Sequence, residues 1–214
     1  MKGKATVAKK AASIEVHHGD LPKGLALGQS IGVDSETTGL SPVRDRLCLV
    51  QIGLTDGSCH LVKFDGRDYS APNLKAALAD PKIAKIFHFA RFDVMMFKKW
   101  LGVETKPLFC TKIASKLVRT YTGAHGLKDL CKELLDVDLS KEQQSSDWAQ
   151  PTLSEAQQRY AASDVLYLHD LQSRLQTMLE REGRLEMARS CFDFLTTRVA
   201  LDLAGWDEED IFAH

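Results

Sequence analysis

The hydrophobic and polar positions in the first ninety residues are typical of short strands separated by turns. Apolar runs of five or six residues are bounded by Gly-, Pro- or Asp-containing stretches, and this pattern indicates strands. The predicted strands are 30–34, 47–52, 59–64 and 83–87. The turn sequence Thr55-Asp56-Gly57 joins the second and third of these strands, so we expect them to pair as a β-hairpin.

Beyond residue 90, apolar residues recur every three or four positions, which is the period of an amphipathic helix. The predicted helices cover roughly 91–101, 111–119, 126–135, 153–181 and 184–200. Thr152 and Glu155 have the spacing of a capping box at the start of the fourth helix. The apolar face of that helix also carries Tyr160 and Asp164. A buried carboxylate is costly unless it is paired or binds a metal, so the carboxylate on this face indicates a functional site.

Strands followed by strands interleaved with helices indicate an α/β fold with a mixed central β-sheet flanked by helices. The 214 residues suit one domain, which we place at 15–214. Residues 1–14 contain four lysines and no acid, and we expect a flexible basic tail there. From Asp202 to His214 there are five acids and no Lys or Arg, a composition typical of a solvated end.

Charge and cysteine content narrow the class of protein. The 28 Lys and Arg residues against 29 Asp and Glu residues give a net charge of −1, which argues against binding mainly by long-range attraction to a polyanion. Five cysteines without a C-x-x-C pair suit a reducing compartment and fit neither a disulfide framework nor a zinc site. Since no apolar stretch is long enough to span a bilayer, we expect a cytoplasmic protein without membrane association.

Candidate chemistry lies in three acidic segments, each of which also has an ordinary structural explanation. Asp34 and Glu36 share one face of a strand end, but either carboxylate alone can cap a turn. Asp93 follows a strand and, taken alone, is better explained as an acid favoured by a helix dipole. Tyr160 and Asp164 are neighbours on one helical turn and can simply tie the helix to the sheet.

Taken together, the four acids predict more than any one of them. If their carboxylates converge, their mutual repulsion requires cations, and an all-oxygen donor set favours Mg²⁺ or Mn²⁺ over zinc. Two such ions are typical of phosphodiester hydrolysis. The sequence therefore predicts two divalent cations at Asp34, Glu36, Asp93 and Asp164.

Three motifs carry a resemblance to a known family. The segments D-S-E-T-T-G-L (34–40), H-F-A-R-F-D (88–93) and Y-A-A-S-D (160–164) resemble the three exonuclease motifs of the DEDDy 3′–5′ exonucleases, the superfamily of ribonuclease D. Stretches such as R-L-C-L-V-Q-I-G (46–53) and H-G-L-K-D-L-C (125–131) are similar to nanoRNase C, a compact bacterial branch of the ribonuclease D group. The resemblance covers about residues 15–214.

This resemblance implies a ribonuclease H-like exonuclease fold, hydrolysis from the 3′ end, and very short single-stranded RNA, down to dinucleotides, as substrate. It also implies a homo-octamer. Asp34, Glu36 and Asp164 would hold one ion, and Asp34 with Asp93, through water, the second. Tyr160 would orient the attacking water and position the phosphate, since a phenol with a pKa near 10 is a poor base at neutral pH.

The expected substrate contacts are Leu40, Thr37, His88, Phe92 and Tyr160. Leu40 matches a leucine that wedges between terminal bases, although a core leucine after a turn explains it equally well. The segment Arg119, Tyr121, His125 and Lys128 either meets a 5′ phosphate or forms a solvated loop. Two other functions stay open: a broader exonuclease for longer RNA or DNA, and an inactive ribonuclease H-like binding module.

Overall fold

The structure, a computed structural model, describes residues 13–41, 44–140, 142–143 and 145–214. Within these ranges the strands are β1 (Ile14–His18), β2 (Ser30–Thr37), β3 (Leu47–Gly53), β4 (Cys59–Lys63), β5 (Ala84–Phe87) and β6 (Leu108–Cys110). The α-helices are α1 (Pro72–Ala79), α2 (Ala90–Met96), α3 (Thr111–Val118), α4 (Leu127–Leu130), α5 (Glu155–Leu166), α6 (Leu168–Arg181) and α7 (Leu185–Leu201). Short π-helical turns continue α2, α4 and α7 to residues 101, 135 and 206.

The six strands form one mixed sheet in the order β1-β4-β3-β2-β5-β6. β2, β3 and β4 pair antiparallel, whereas β5 and β6 continue from β2 in parallel and β1 lies parallel to β4. This arrangement confirms the predicted α/β fold with a mixed central sheet. Every residue of β3 and β4 is buried, as expected of strands covered on both faces.

The two edge strands, β1 and β6, were not predicted. Each has five residues or fewer, and β1 ends in His17-His18, so neither presents a long apolar run. β1 also begins at Ile14, inside the expected tail, while residues 1–12 of that tail lie outside the described ranges. The predicted hairpin between β3 and β4 is confirmed, and Gly57 takes the positive φ of 92° that its turn requires.

The expected single helix at 153–181 is instead two helices, α5 and α6, which meet at Tyr167 (φ −103°, ψ 0°). The predicted capping box was also wrong. Ser154, rather than Thr152, caps α5: its hydroxyl accepts from the Gln157 amide at 3.2 Å, and Gln157 Oε1 accepts from the Ser154 amide at 2.9 Å. A capping box is present at the start of α5, as predicted, but its first residue lies two positions later in the chain.

The acidic end is not entirely solvated. Asp202 is buried, and its carboxylate accepts hydrogen bonds from Arg91 Nε at 2.7 Å, Arg91 Nη2 at 2.9 Å and Arg198 Nε at 2.8 Å. This ion pair fastens the end of α7 to α2. All five cysteines are free thiols, and in the described ranges no helix has the length and apolar character needed to cross a bilayer.

Candidate active site

Two strand acids and one helix acid meet on a single face of the sheet. Asp34 and Glu36 are alternate residues of β2 and therefore point the same way. Asp164 approaches them from α5, and one carboxylate oxygen from each of the three side chains lies within 4.8 Å of the other two. The structure thus brings together three of the four predicted acids.

Two glycines allow α5 to lie this close to the sheet. A Cβ atom on Gly32 would be 2.7 Å from the carbonyl oxygen of Val165, and one on Gly53 would be 2.9 Å from the Val165 Cγ2 atom. Cβ atoms essentially never lie within 3.0 Å of a non-bonded carbon or oxygen atom, so only glycine fits at these positions. Val165 directly follows Asp164 in the chain. The lack of a side chain at Gly32 and Gly53 therefore sets how close Asp164, the third acid, lies to the sheet.

Asp93 takes a different place from the other three acids. It lies buried on α2, where its Oδ1 accepts a hydrogen bond from the Ser35 hydroxyl at 2.6 Å. Its oxygens fall outside the group that Asp34, Glu36 and Asp164 form. Asp34 has a neutral partner of its own, because Gln51 Nε2 donates to its Oδ2 at 3.2 Å. Ser35 and Gln51 are supporting residues that sequence reasoning missed.

The four acids are costly to ionise together. Burial raises the pKa of Asp34 to about 7, and burial followed by repulsion from Asp34 and Asp164 raises the pKa of Glu36 to about 10. For Asp93 and Asp164, burial and the charge of Asp34 raise the pKa well above the usual carboxyl range. A nearby divalent cation would offset both the repulsion and the burial.

The residues present fit such a cation. Three carboxylates from two elements of the fold offer only oxygen donors, and all three residues are half-buried. Mg²⁺ and Mn²⁺ prefer oxygen ligands of this kind. Asp34, Glu36 and Asp164 are therefore the residues suited to hold a divalent ion.

Tyr160 lies one helical turn before Asp164, at the edge of the acidic group. Burial, with the charges of Asp164 and Glu36, raises the pKa of its phenol above the ordinary value near 10. The hydroxyl therefore stays protonated at neutral pH and is a hydrogen-bond donor. Trp148, which sequence reasoning passed over, packs beside it with the ring centroids 6.1 Å apart.

The acidic group lies in a cleft of about 660 Å³. Every predicted site residue except Asp93 lines this cleft. The lining residues are Asp34, Ser35, Glu36, Thr37, Thr38, Gly39, Leu40, His88, Phe89, Phe92, Lys112, Gly126, Leu127, Lys128, Leu139, Ser140, Ser145, Ser146, Trp148, Tyr160 and Asp164. Leu40 is 83% exposed, which excludes the alternative of a core leucine. Thr37 donates to the Gly39 carbonyl at 2.5 Å and so shapes the turn that presents Leu40.

Thr111 fixes the proton position of His88. The Thr111 hydroxyl donates its one proton to the Phe87 carbonyl at 3.0 Å and also lies 2.9 Å from His88 Nδ1. Nδ1 must therefore be the donor in that second contact. Burial lowers the pKa of His88 to about 4. The ring is consequently neutral at pH 7, with a hydrogen-bond acceptor at Nε2.

Positive charge enters the cleft through two lysines. Lys112 Nζ lies 4.3 Å from the centroid of the Phe89 ring, and Lys128 lines the same wall. Phe89 has a positive φ of 69°, which is uncommon for a residue other than glycine. Lys112 and Phe89 were not predicted, because their place in the cleft depends on backbone geometry rather than on a sequence pattern.

Most residues of the 119–128 segment, considered above for binding a 5′ phosphate, pair with other residues of the fold. Arg119 is fully buried; its guanidinium pairs with Glu133 and donates to the Ala124 carbonyl. The Tyr121 hydroxyl also donates to Glu133, and His125 Nδ1 lies 2.8 Å from the Ser115 hydroxyl. Of the four residues considered, only Lys128 lines the cleft.

Comparison with known proteins gives a consistent picture. The family described as 3′-5′ exonuclease matches residues 13–180. Ribonuclease D of Granulibacter bethesdensis is 37% identical over 144 residues, covering 65% of this chain and 35% of that protein. The chain thus spans about a third of that relative, and 41% and 40% of two further ribonuclease D proteins.

Solved structures match over a larger share of their length. Brucella melitensis NrnC bound to pGG is 52% identical, with a TM-score of 0.92, over 95% of this chain and all of that one. NrnC of the same organism with bound Mg²⁺ is also 52% identical, with a TM-score of 0.90, over 94% of this chain and 99% of that one.

Proposed function

Because the chain belongs to the 3′–5′ exonuclease family, as a ribonuclease D-like member close to NrnC, we propose that it degrades very short RNA. It would hydrolyse 5′-phosphorylated oligonucleotides from the 3′ end, down to dinucleotides, and release nucleoside 5′-monophosphates. The observation that carries this proposal is the convergence of Asp34, Glu36 and Asp164 beside Tyr160 in an open cleft.

Two divalent cations, Mg²⁺ or Mn²⁺, complete the proposed site. Asp34, Glu36 and Asp164 would hold one, and Asp34 with Asp93, through water, would hold the second. When bound, such ions supply a nucleophile at neutral pH and neutralise charge on the phosphodiester. Asp93 lies outside the group of three but close enough to Asp34 for the charge of Asp34 to raise its pKa, which supports an outer position beside Asp34.

Tyr160 would orient the attacking water and the scissile phosphate. Its raised pKa keeps the phenol protonated, so it donates a hydrogen bond rather than removing a proton. Packing against Trp148 limits the positions that the ring can take. Tyr160 is therefore a positioning donor next to the acids, and loss of its hydroxyl should lower turnover less than loss of an acid.

Three features support a short substrate. A net charge of −1 gives little attraction to a long polyanion, whose binding gains from the release of many counterions. The exposed Leu40 and the half-buried Phe92 offer apolar contacts to one or two bases, each worth about 1–3 kcal/mol if stacked. A solved structure of the related Brucella melitensis NrnC has the dinucleotide pGG bound. Lys112 and Lys128 would meet the phosphates.

His88 would favour RNA over DNA. Its neutral ring presents an acceptor at Nε2, and a ribose 2′-hydroxyl is a donor that deoxyribose lacks. Thr37, which follows Glu36 at the end of β2 and lines the cleft, would contact the same terminal nucleotide.

We also propose that neighbouring copies close the cleft, in the homo-octamer that the family resemblance implies. The exposed apolar residues Leu203, Trp206, Ile211 and Phe212 support self-association at the end of the chain. Five free thiols support a reducing, cytoplasmic location. Light scattering of the purified protein should give the mass of eight chains, and a monomeric mass would contradict this part of the proposal.

The deciding experiment compares 5′-phosphorylated RNAs of two, seven and twenty nucleotides at equal concentration with Mg²⁺. Wild type should release mononucleotides fastest from the dinucleotide. Asp34→Asn and Asp164→Asn should abolish turnover while the fold persists. Asp193→Asn, an exposed acid on α7, is the matched control and should behave as wild type.

Each other outcome identifies a different function. Equal rates on the three RNAs would remove the short-substrate proposal and leave a broader exonuclease. Equal rates on matched RNA and DNA dinucleotides would contradict the proposal that His88 favours RNA over DNA. A folded wild-type protein that releases no mononucleotide with Mg²⁺ or Mn²⁺ would be an inactive binding module.

A further inference from the structure

Three side chains of types that can bind metals meet on the face of the sheet that does not carry Asp34. Residues opposite one another in neighbouring strands share a face, and the register of β2, β3, β4 and β1 places Asp34 with Gln51 and Leu61. The other face carries His60 of β4, together with its β1 partner Glu15. His17, two residues after Glu15 on β1, lies on the same face.

The three donor atoms have the spacing of a metal site. His17 Nε2 lies 3.0 Å from His60 Nδ1, and Glu15 Oε2 lies 4.0 Å and 3.9 Å from these two nitrogens. The point equidistant from three atoms with these separations lies about 2.1 Å from each of them. Bonds from Zn²⁺ to imidazole nitrogen and to carboxylate oxygen have lengths of about 2.0–2.2 Å.

The surroundings suit a borderline metal better than a hard one. His60 is buried, His17 is mostly buried, and the Glu15 side chain is 59% exposed, so one side of the group opens to solvent. Burial, followed by the neighbouring His60, lowers the pKa of His17. Neutral imidazole is the form that binds zinc, and two imidazoles with one carboxylate form a donor set that zinc accepts.

We propose that Glu15, His17 and His60 bind a borderline transition ion such as Zn²⁺, which fastens the edge strand β1 to β4. Without the ion, one imidazole donates an N–H to the other. When the ion binds, the proton of the donor ring would move to the other nitrogen of that ring, so that both contacting nitrogens present lone pairs to the metal and water takes the open position. β1 is an edge strand with β4 as its neighbour in the sheet, so a metal link to β4 would add to the backbone hydrogen bonds that hold β1 in place. The site is independent of the cleft and of the proposed hydrolysis.

The test is a titration of Zn²⁺ into protein held in excess Mg²⁺, which keeps the cleft carboxylates occupied. Imidazole ¹⁵N resonances should shift on addition of one equivalent for His17 and His60 and stay in place for the remaining five histidines. His17→Ala should weaken Zn²⁺ binding at least tenfold by calorimetry. His18→Ala, an exposed neighbour on the same strand, is the matched control and should bind like wild type.

Hydrogen exchange gives a second measurement that does not depend on catalysis. Zn²⁺ should slow exchange of the β1 amides in wild type and in His18→Ala, but not in His17→Ala. Since His60 is buried and its replacement can destabilise the sheet, His17→Ala decides the matter. Unmoved His17 and His60 resonances, equal binding by His17→Ala, or Zn²⁺ bound only by the cleft acids would each overturn the proposal.

Discussion

Replacement of Gly32 by alanine tests how the fold positions the site. The new Cβ atom would lie 2.7 Å from the Val165 carbonyl oxygen, whereas ordinary van der Waals contact begins near 3.4 Å. To relieve this clash, the backbone at Val165 must move by about 0.7 Å. Asp164 precedes Val165 and would move with it, away from Asp34 and Glu36.

The magnitude of the effect follows from two separate costs. Overpacking of this kind typically destabilises by about 1–3 kcal/mol. For a domain of this size, that corresponds to a fall in Tm of roughly 2–12 °C. Displacement of a catalytic group by about 1 Å can cost on the order of 100-fold in rate, so we expect kcat to fall by about 10- to 100-fold.

The assay is hydrolysis of a 5′-phosphorylated dinucleotide at a temperature at which circular dichroism shows the variant to be folded. The Mg²⁺ concentration for half-maximal activity should also rise, because the three carboxylates no longer match one ion. Gly123→Ala is the matched control, since its Cβ atom would meet nothing within 4 Å. Wild-type kcat and Tm in Gly32→Ala would refute the claim that this close approach positions Asp164.

Three further predictions concern single side chains. Thr111→Val removes the acceptor for the His88 Nδ1 proton, so RNA turnover should fall about fivefold, a loss near 1 kcal/mol. The ¹⁵N spectrum of the His88 ring should then show mixed tautomers, and an unchanged spectrum would contradict the tautomer assignment. Asp202→Ala removes a buried carboxylate from the partly exposed Arg91 and should lower the free energy of unfolding by about 2 kcal/mol in urea denaturation, whereas a loss near zero would mean that the contact adds no stability. Leu40→Ala should lower kcat/KM for dinucleotides without changing Tm, because the side chain is 83% exposed, and a large fall in Tm would show a core role instead.

The sequence was sufficient for the central elements and for the acids on them. β2 to β5 contain short apolar stretches bounded by turn residues, and Asp34, Glu36 and Asp164 stand out because their carboxylates lie among buried apolar neighbours. Local patterns of this kind depend only on the period of a strand or helix. The fold class followed from the order of these elements.

Features that depend on tertiary contacts were not predictable in the same way. The helix breaks at Tyr167, although the apolar spacing in the sequence continues unchanged from α5 into α6. The hydrogen bond from Ser35 that sets Asp93 apart joins residues 58 positions apart in the chain. Lys112 reaches the cleft through its contact with Phe89, whose positive φ has no signature in the sequence.

The most direct test of the proposed active site is a crystal of this protein grown with Mn²⁺ and a phosphorothioate dinucleotide, with anomalous scattering used to locate the metal. The two-metal proposal predicts two anomalous peaks in the cleft, one against Asp34, Glu36 and Asp164, and the second on the side of Asp34 that faces Asp93. Density for the dinucleotide with no anomalous peak at these carboxylates would contradict it.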